Sequence, residues 1–236
     1  MSHPIVWRRP ITPDDLRGGE LDLVGGGAQA AGATADALAL IDHGEHARRA
    51  RAGLAAVTSL RLLDAVLNFP LHVPVHMCDL GPDSEAVTRH APDGIFHRES
   101  TTVTRLLSPS VTVVAALVTG MSWRRMMARV VSFAPFCQQV MLLERAPGAL
   151  GSLVWEAQLA GVAIWVRDGA EIVEVLRPPV FQRRRWKPAG WRFQEQAYAT
   201  WLRSTRRSVS YCASVDRPSR TGSGGSDLLE PGLPGM

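Results

Sequence analysis

Between Val111 and Pro178 the pattern of apolar and polar positions switches repeatedly between two periods. Val111–Val118 (VTVVAALV) is an apolar run of strand length, and Met121–Val130 (MSWRRMMARV) spaces its apolar residues as a helix does. Gln138–Glu144 predicts a second strand and Ala149–Ala160 a second helix. Val162–Asp168 and Glu171–Leu176 then predict a pair of strands. Strands alternating with helices of this length point to parallel pairing through crossovers.

The flanking chain is less regular. Residues 1–35 are rich in Gly and Pro with little periodicity and read as an irregular arm. Asp36–Phe69 reads as helical, with Ala47, Ala50, Leu54, Val57, Leu60 and Leu63 near helical spacing, and Pro70 closes it. Leu71–Leu80 alternates like a half-buried strand, Gly81-Pro82-Asp83-Ser84 reads as a turn, and Pro92–Ser100 as a short strand. Residues 36–178 would thus form an α/β core, a mixed and largely parallel sheet flanked by helices. Residues 179–203 form a basic Arg/Trp segment with a helix over Phe193–Arg203, and 204–236 a tail too poor in apolar groups to fold.

Charge sharpens this division. The net charge is only +4, but Arg177–Arg220 holds eleven basic residues against Glu195 and Asp216. Lys187 is the sole lysine beside 25 arginines, so amine chemistry has one candidate. Three cysteines, Cys78, Cys137 and Cys212, do not make a disulfide framework, which suits a reducing cytoplasm. No apolar run approaches the roughly 20 residues of a membrane span, and the first residues lack the apolar stretch of a signal peptide, so a cytoplasmic protein with no membrane partner is expected.

Most chemical motifs find little support. His72, His76, His90 and His97 cluster with Cys78 nearby, but two strand residues four apart stand about 13 Å from one another, and no Cys-x-x-Cys or His-Glu-x-x-His is present. A metal-dependent enzyme built on the His72–His97 region remains an alternative. Leu21–Ala30 contains Gly25-x-Gly27-x-x-Ala30, a short match to a dinucleotide fingerprint, better read as part of a Gly-rich arm. No Gly-x-Ser-x-Gly elbow marks a nucleophile, and no cofactor is expected.

The order of elements from about residue 45 to 178 resembles the PD-(D/E)XK nuclease-like, or restriction-endonuclease-like, fold. Pro92-Asp93 stands for its acidic strand, Val111–Val118 for its third strand, and Ser122-Trp123-Arg124-Arg125 for the start of the following helix. Val140–Leu143 and Leu153–Val166 stand for its late strand, helix and strand. The resemblance implies Mg²⁺ held by carboxylates, with Glu-x-Lys on the third strand. That strand carries no charge, and Ser100–Leu143 contains no acid. The resemblance therefore implies a catalytically degraded member, a pseudoenzyme in which Asp93, Glu99 and His97 supply half a site at most.

Function is expected from the segment after the core. Arg183, Arg184, Arg185, Trp186, Lys187, Trp191 and Arg192 mix guanidinium forks with indoles, as a surface tracking DNA or RNA backbone does. Arg48, Arg49 and Arg51 with Arg124, Arg125 and Arg129 would extend one basic face. The first expectation is a non-catalytic nucleic-acid-associated protein. The alternative is a protein-interaction or scaffold subunit, self-association included, presenting Trp155, Trp165, Trp186, Trp191 and Trp201.

Overall fold

A computed structural model describes residues 7–148, 150–183 and 186–215. Its central element is the apolar run at Val111, which becomes strand β6. In chain order the structure contains β1 (Asp22–Ala30), β2 (Ala33–Ile41), α1 (His43–Arg51), α2 (Leu60–Leu67), β3 (Pro74–His76), α3 (Pro82–His90), β4 (Phe96–Arg98) and β5 (Thr102–Arg105). There follow β6 (Val111–Gly120), α4 (Trp123–Val130), β7 (Gln138–Leu143), α5 (Leu150–Ala160), β8 (Val162–Asp168), β9 (Glu171–Leu176) and α6 (Pro188–Val215).

Six strands form one mixed sheet in the order β1-β2-β6-β7-β8-β9. β6, β7 and β8 run parallel at its centre through the α4 and α5 crossovers, and the outer pairings are antiparallel. The α/β architecture expected from the alternating periods is present, with parallel pairing confined to the three central strands. β3, β5 and β4 form a separate three-stranded sheet.

Three expectations are corrected here. Residues 22–35 are not an irregular arm, because β1 and the start of β2 form an edge hairpin of the main sheet. Asp36–Phe69 is not one helix but a strand followed by two short helices, α1 capped by Asp42 and α2 by Ser59. The hairpin's small side chains hid it from a pattern based on bulk. Ala28, Ala35, Ala37 and Ala39 are buried, but alanine and glycine have no strong strand preference. The Gly-x-Gly match is a β-bulge: the register slips between Val24 and Ala28, and Gly26 has φ +63°. A Cβ on Gly27 would stand 2.8 Å from Val24 Cγ1, so close packing favours glycine there. The turn read at Gly81–Ser84 is the start of α3, with Pro82 at its first position.

The two faces of the main sheet are covered differently. α4, α5 and α6 pack on one face through Met126, Val130, Leu153, Ala157, Phe193, Ala197 and Tyr198. On the other face Leu38, Leu40, Val114, Leu117, Val140, Leu142 and Trp165 are buried, with Ile11 and Leu21 of the amino-terminal strap among them. Gln138 pins that strap in both directions: Ile11 N–H donates to Gln138 Oε1 at 2.9 Å, and Gln138 Nε2 donates to the Arg9 carbonyl at 3.0 Å. A third cluster, built from Leu63, Val66, Phe69, Phe96, Val103, Leu107 and Trp191, joins the small sheet to α2 and α6.

Candidate nucleic-acid interface

The small sheet settles where Asp93 and Glu99 lie. β4 pairs with β5, not with β6, whose neighbours are β2 and β7. Asp93 sits in an exposed turn, and Glu99 is exposed beside His97 at 3.6 Å and accepts from Thr102 Oγ1. Asp93, Glu99 and His97 therefore do not stand beside the Val111 strand, which corrects the expected placement of the acidic strand. The carboxylate that does lie opposite β6 is Asp36, at the register of Leu117. It accepts a 2.8 Å hydrogen bond from the Gly26 amide and so serves the bulge. No group of three or more His, Cys, Asp or Glu able to hold a metal occurs among the described residues. His72 lies outside β3 with φ +59°, and His76 Nδ1 lies 2.9 Å from Cys78 Sγ. Burial pushes the Cys137 thiol up to about 12, which leaves it protonated and inert.

The densest polar cluster is one the sequence analysis did not single out. Arg49 is fully buried, and its Nη1 and Nη2 donate to the two carboxylate oxygens of Glu195 at 2.8 and 2.7 Å. Its Nε donates to Glu45 at 2.9 Å, and Nη2 also donates to the Ser108 carbonyl. Glu195 further accepts from the Val57 amide and from Trp191 Nε1. Burial pushes the Glu45 carboxyl up, but hydrogen bonds and charge from Arg48 and Arg49 outweigh it and hold the group below its ordinary range. This network ties α1 to α6 and is buried within the protein. Residues 49 and 195 are too far apart in sequence for any spacing rule to pair them.

The same network removes Arg49 from the basic face expected with Arg51, Arg124, Arg125 and Arg129, which are exposed. Arg49 is internal, Arg48 is bound to Glu45 and the Gly94 carbonyl, and Arg129 donates to the Thr34 carbonyl.

Of the residues expected to meet nucleic acid, Arg184 and Arg185 lie outside the described residues. The others divide sharply. Trp191 is fully buried, with Arg105 over its ring at 4.7 Å, so its indole is not open to stack on a base as expected. Burial pushes the Arg105 guanidinium down to about 10, and it is held by the Val66, Phe69 and Leu107 carbonyls. Arg183 lies over Trp186 at 4.0 Å and 6.0 Å from the Phe181 ring, while Trp186 tilts against Trp191 at 6.1 Å. The Arg/Trp segment is thus partly a column in which two indoles, Trp186 and Trp191, are flanked by the cations Arg183 and Arg105. Lys187 and Arg192 are exposed.

Beside that column lies a groove of about 660 Å³, lined by Pro135, Phe136, Phe181, Gln182, Arg183, Lys187, Ala189 and Gly190. Phe136 is backed by Phe193 at 4.8 Å in near-parallel stacking. Arg183 donates to the Phe136 carbonyl at 3.2 Å, but its Nη1 is buried without a partner. Burial pushes the Arg183 guanidinium down from its ordinary range. Among the described residues no ion pair involves Arg183 or Lys187. The groove thus combines aromatic walls with two cations that lack counter-ions. Phe136 and Phe181 were not picked out from sequence, since a lone Phe carries no signal until the fold brings it beside a charge.

No helix among the described residues is long and apolar enough to cross a membrane. Comparison with protein-family models, curated proteins and solved structures finds no match.

Proposed function

We propose that the protein is a non-catalytic nucleic-acid-associated protein that binds single strands through this groove. The observation that carries the reading is the pairing of Arg183 and Lys187, both without carboxylate partners, with Phe136 and Phe181 in one cavity. Cations neutralise phosphate, and aromatic faces accept bases without regard to sequence. The nuclease-like reading is supported by strand order: a hairpin, an antiparallel β6, then a crossover to the parallel β7. In that reading Asp36 takes the place first given to Asp93, and the apolar residues of β6 leave it without companions for Mg²⁺. The fold then serves as a platform, and the binding chemistry lies beside it.

Titration of a fluorescent single-stranded oligonucleotide across salt concentrations tests this. Engagement of about three phosphates gives a log–log salt slope of about −2, and Lys187→Ala makes it shallower by about 0.7. Binding that is absent, or insensitive to salt, overturns the reading.

A second reading, a protein-interaction platform, is favoured by one separate observation. Trp155 and Leu159 stand one turn apart on α5 and are 65% and 70% exposed. β9, with Val173 exposed, leaves the adjacent sheet edge open. Of the five tryptophans proposed for such a surface, Trp155 alone among them is exposed, while Trp165 and Trp191 are fully buried. Sedimentation at high salt separates the two readings: a dimer dispersed by Trp155→Ser with Leu159→Ser supports the platform, and a monomer at all concentrations counts against self-association.

A further inference from the structure

Among the described residues the groove's charge comes from two side chains, Arg183 and Lys187, that line one cavity. Arg183 comes from the loop after β9, and Lys187 immediately precedes α6, yet both line the same cavity. A desolvated cation with an unmet donor and no counter-ion is costly to hold, and an anion placed there offsets that cost. Ala189 and Gly190, in the first turn of α6, line the same cavity. First-turn amides have no intrahelical acceptor, and Lys187 at the cap position has no side-chain oxygen to supply one. The helix adds its positive end to two side-chain cations. Binding pockets for small ligands run from about 300 to 1,000 Å³, so a cavity of about 660 Å³ suits a nucleotide or two rather than a long strand.

An internal phosphodiester carries one negative charge, whereas a phosphomonoester carries about −1.5 to −2 near neutral pH. The concentration of uncompensated positive charge matches the second better. We propose that the groove is a terminal-phosphate site, holding the phosphorylated end of a single strand between Arg183, Lys187 and the first turn of α6, with the last base against Phe136 and Phe181. This rests on the single-strand reading above and specifies which part of the strand is recognised.

The test compares one short single-stranded oligonucleotide in three forms, 5′-phosphorylated, 3′-phosphorylated and hydroxyl-ended, by fluorescence anisotropy with the full chain. The expected result is at least tenfold tighter binding of one phosphorylated form than of the hydroxyl-ended form. That preference disappears in Lys187→Ala, an exposed position whose change leaves the fold intact, and in Arg183→Gln. Equal, salt-dependent binding of all three forms overturns the terminal-phosphate assignment and leaves the single-strand reading standing. Binding of none of them overturns both. Competition by a free mononucleotide with the full affinity of the phosphorylated strand also overturns the strand-end assignment, in favour of a small nucleotide ligand. Weak or absent competition by mononucleotide and inorganic phosphate supports it.

Discussion

At the residue scale, the decisive fact is which arginines are free. Each of the three guanidinium nitrogens of Arg49 donates inside the protein, and the group also lies 5.1 Å from the Tyr198 ring. Replacing Arg49 leaves the buried Glu195 without a charged partner and takes one of two arginines from Glu45, so Arg49→Met is expected to lower stability by about 3–5 kcal/mol in urea unfolding. A loss below about 1 kcal/mol contradicts the network's role. The pH dependence follows from Glu45. Its folded pKa lies below the ordinary value of 4.5, so its contribution is present above that value and is lost as pH falls through the folded one. Thermal melts of the native protein should weaken on the acid side below about pH 4.5, and Arg49→Met should flatten that limb. An unchanged limb would mean that other carboxylates dominate.

At the element scale, α6 does two jobs. Its inward residues, Trp191, Phe193, Glu195 and Tyr198, complete two of the hydrophobic clusters and the buried ion network. Its opening turn, with Lys187, borders the groove. These roles separate by mutation. Trp191→Ala removes a fully buried indole and is expected to cost about 3–5 kcal/mol in chemical unfolding, whereas Lys187→Ala should leave the unfolding midpoint in place. The amino-terminal strap makes a similar prediction: Gln138→Leu removes its two clamps and should lower stability by about 1–2 kcal/mol, with faster proteolysis near Arg9. Protection equal to the native protein would show that the apolar contacts of Ile11 suffice.

The same elements show how much could be read in advance. From Val111 onward, long apolar strands and helices announced themselves, and β6 to β9 fall within a residue or two of the expected bounds. Before Asp42 the signal failed for a physical reason: β1 and β2 are built of Gly and Ala, whose burial comes from close approach of strands rather than from bulk. Missing that hairpin left Pro92-Asp93 as the expected acidic strand, whereas Asp93 lies in a turn outside the main sheet. The Arg/Trp segment was legible as chemistry but not as geometry. Its Trp and Arg content marked it, while the burial of Trp191 and the contribution of Phe136 depend on contacts between distant parts of the chain.

At the scale of the whole molecule, the mixed sheet is a packed core rather than a cleft. The sheet's centre is filled on both faces, by helices on one side and with the strap on the other, and offers no gathered acids among the described residues. What stays uncompensated is positive charge at the junction of the β9 loop and α6. The most direct measurement is the affinity of the full chain for a short end-phosphorylated single strand, 5′ or 3′, whichever binds more tightly, at low salt, native against Lys187→Glu. The account predicts at least a tenfold loss for Lys187→Glu with an unchanged melting temperature. Equal affinity of the two proteins, or no binding by the native one, would contradict it.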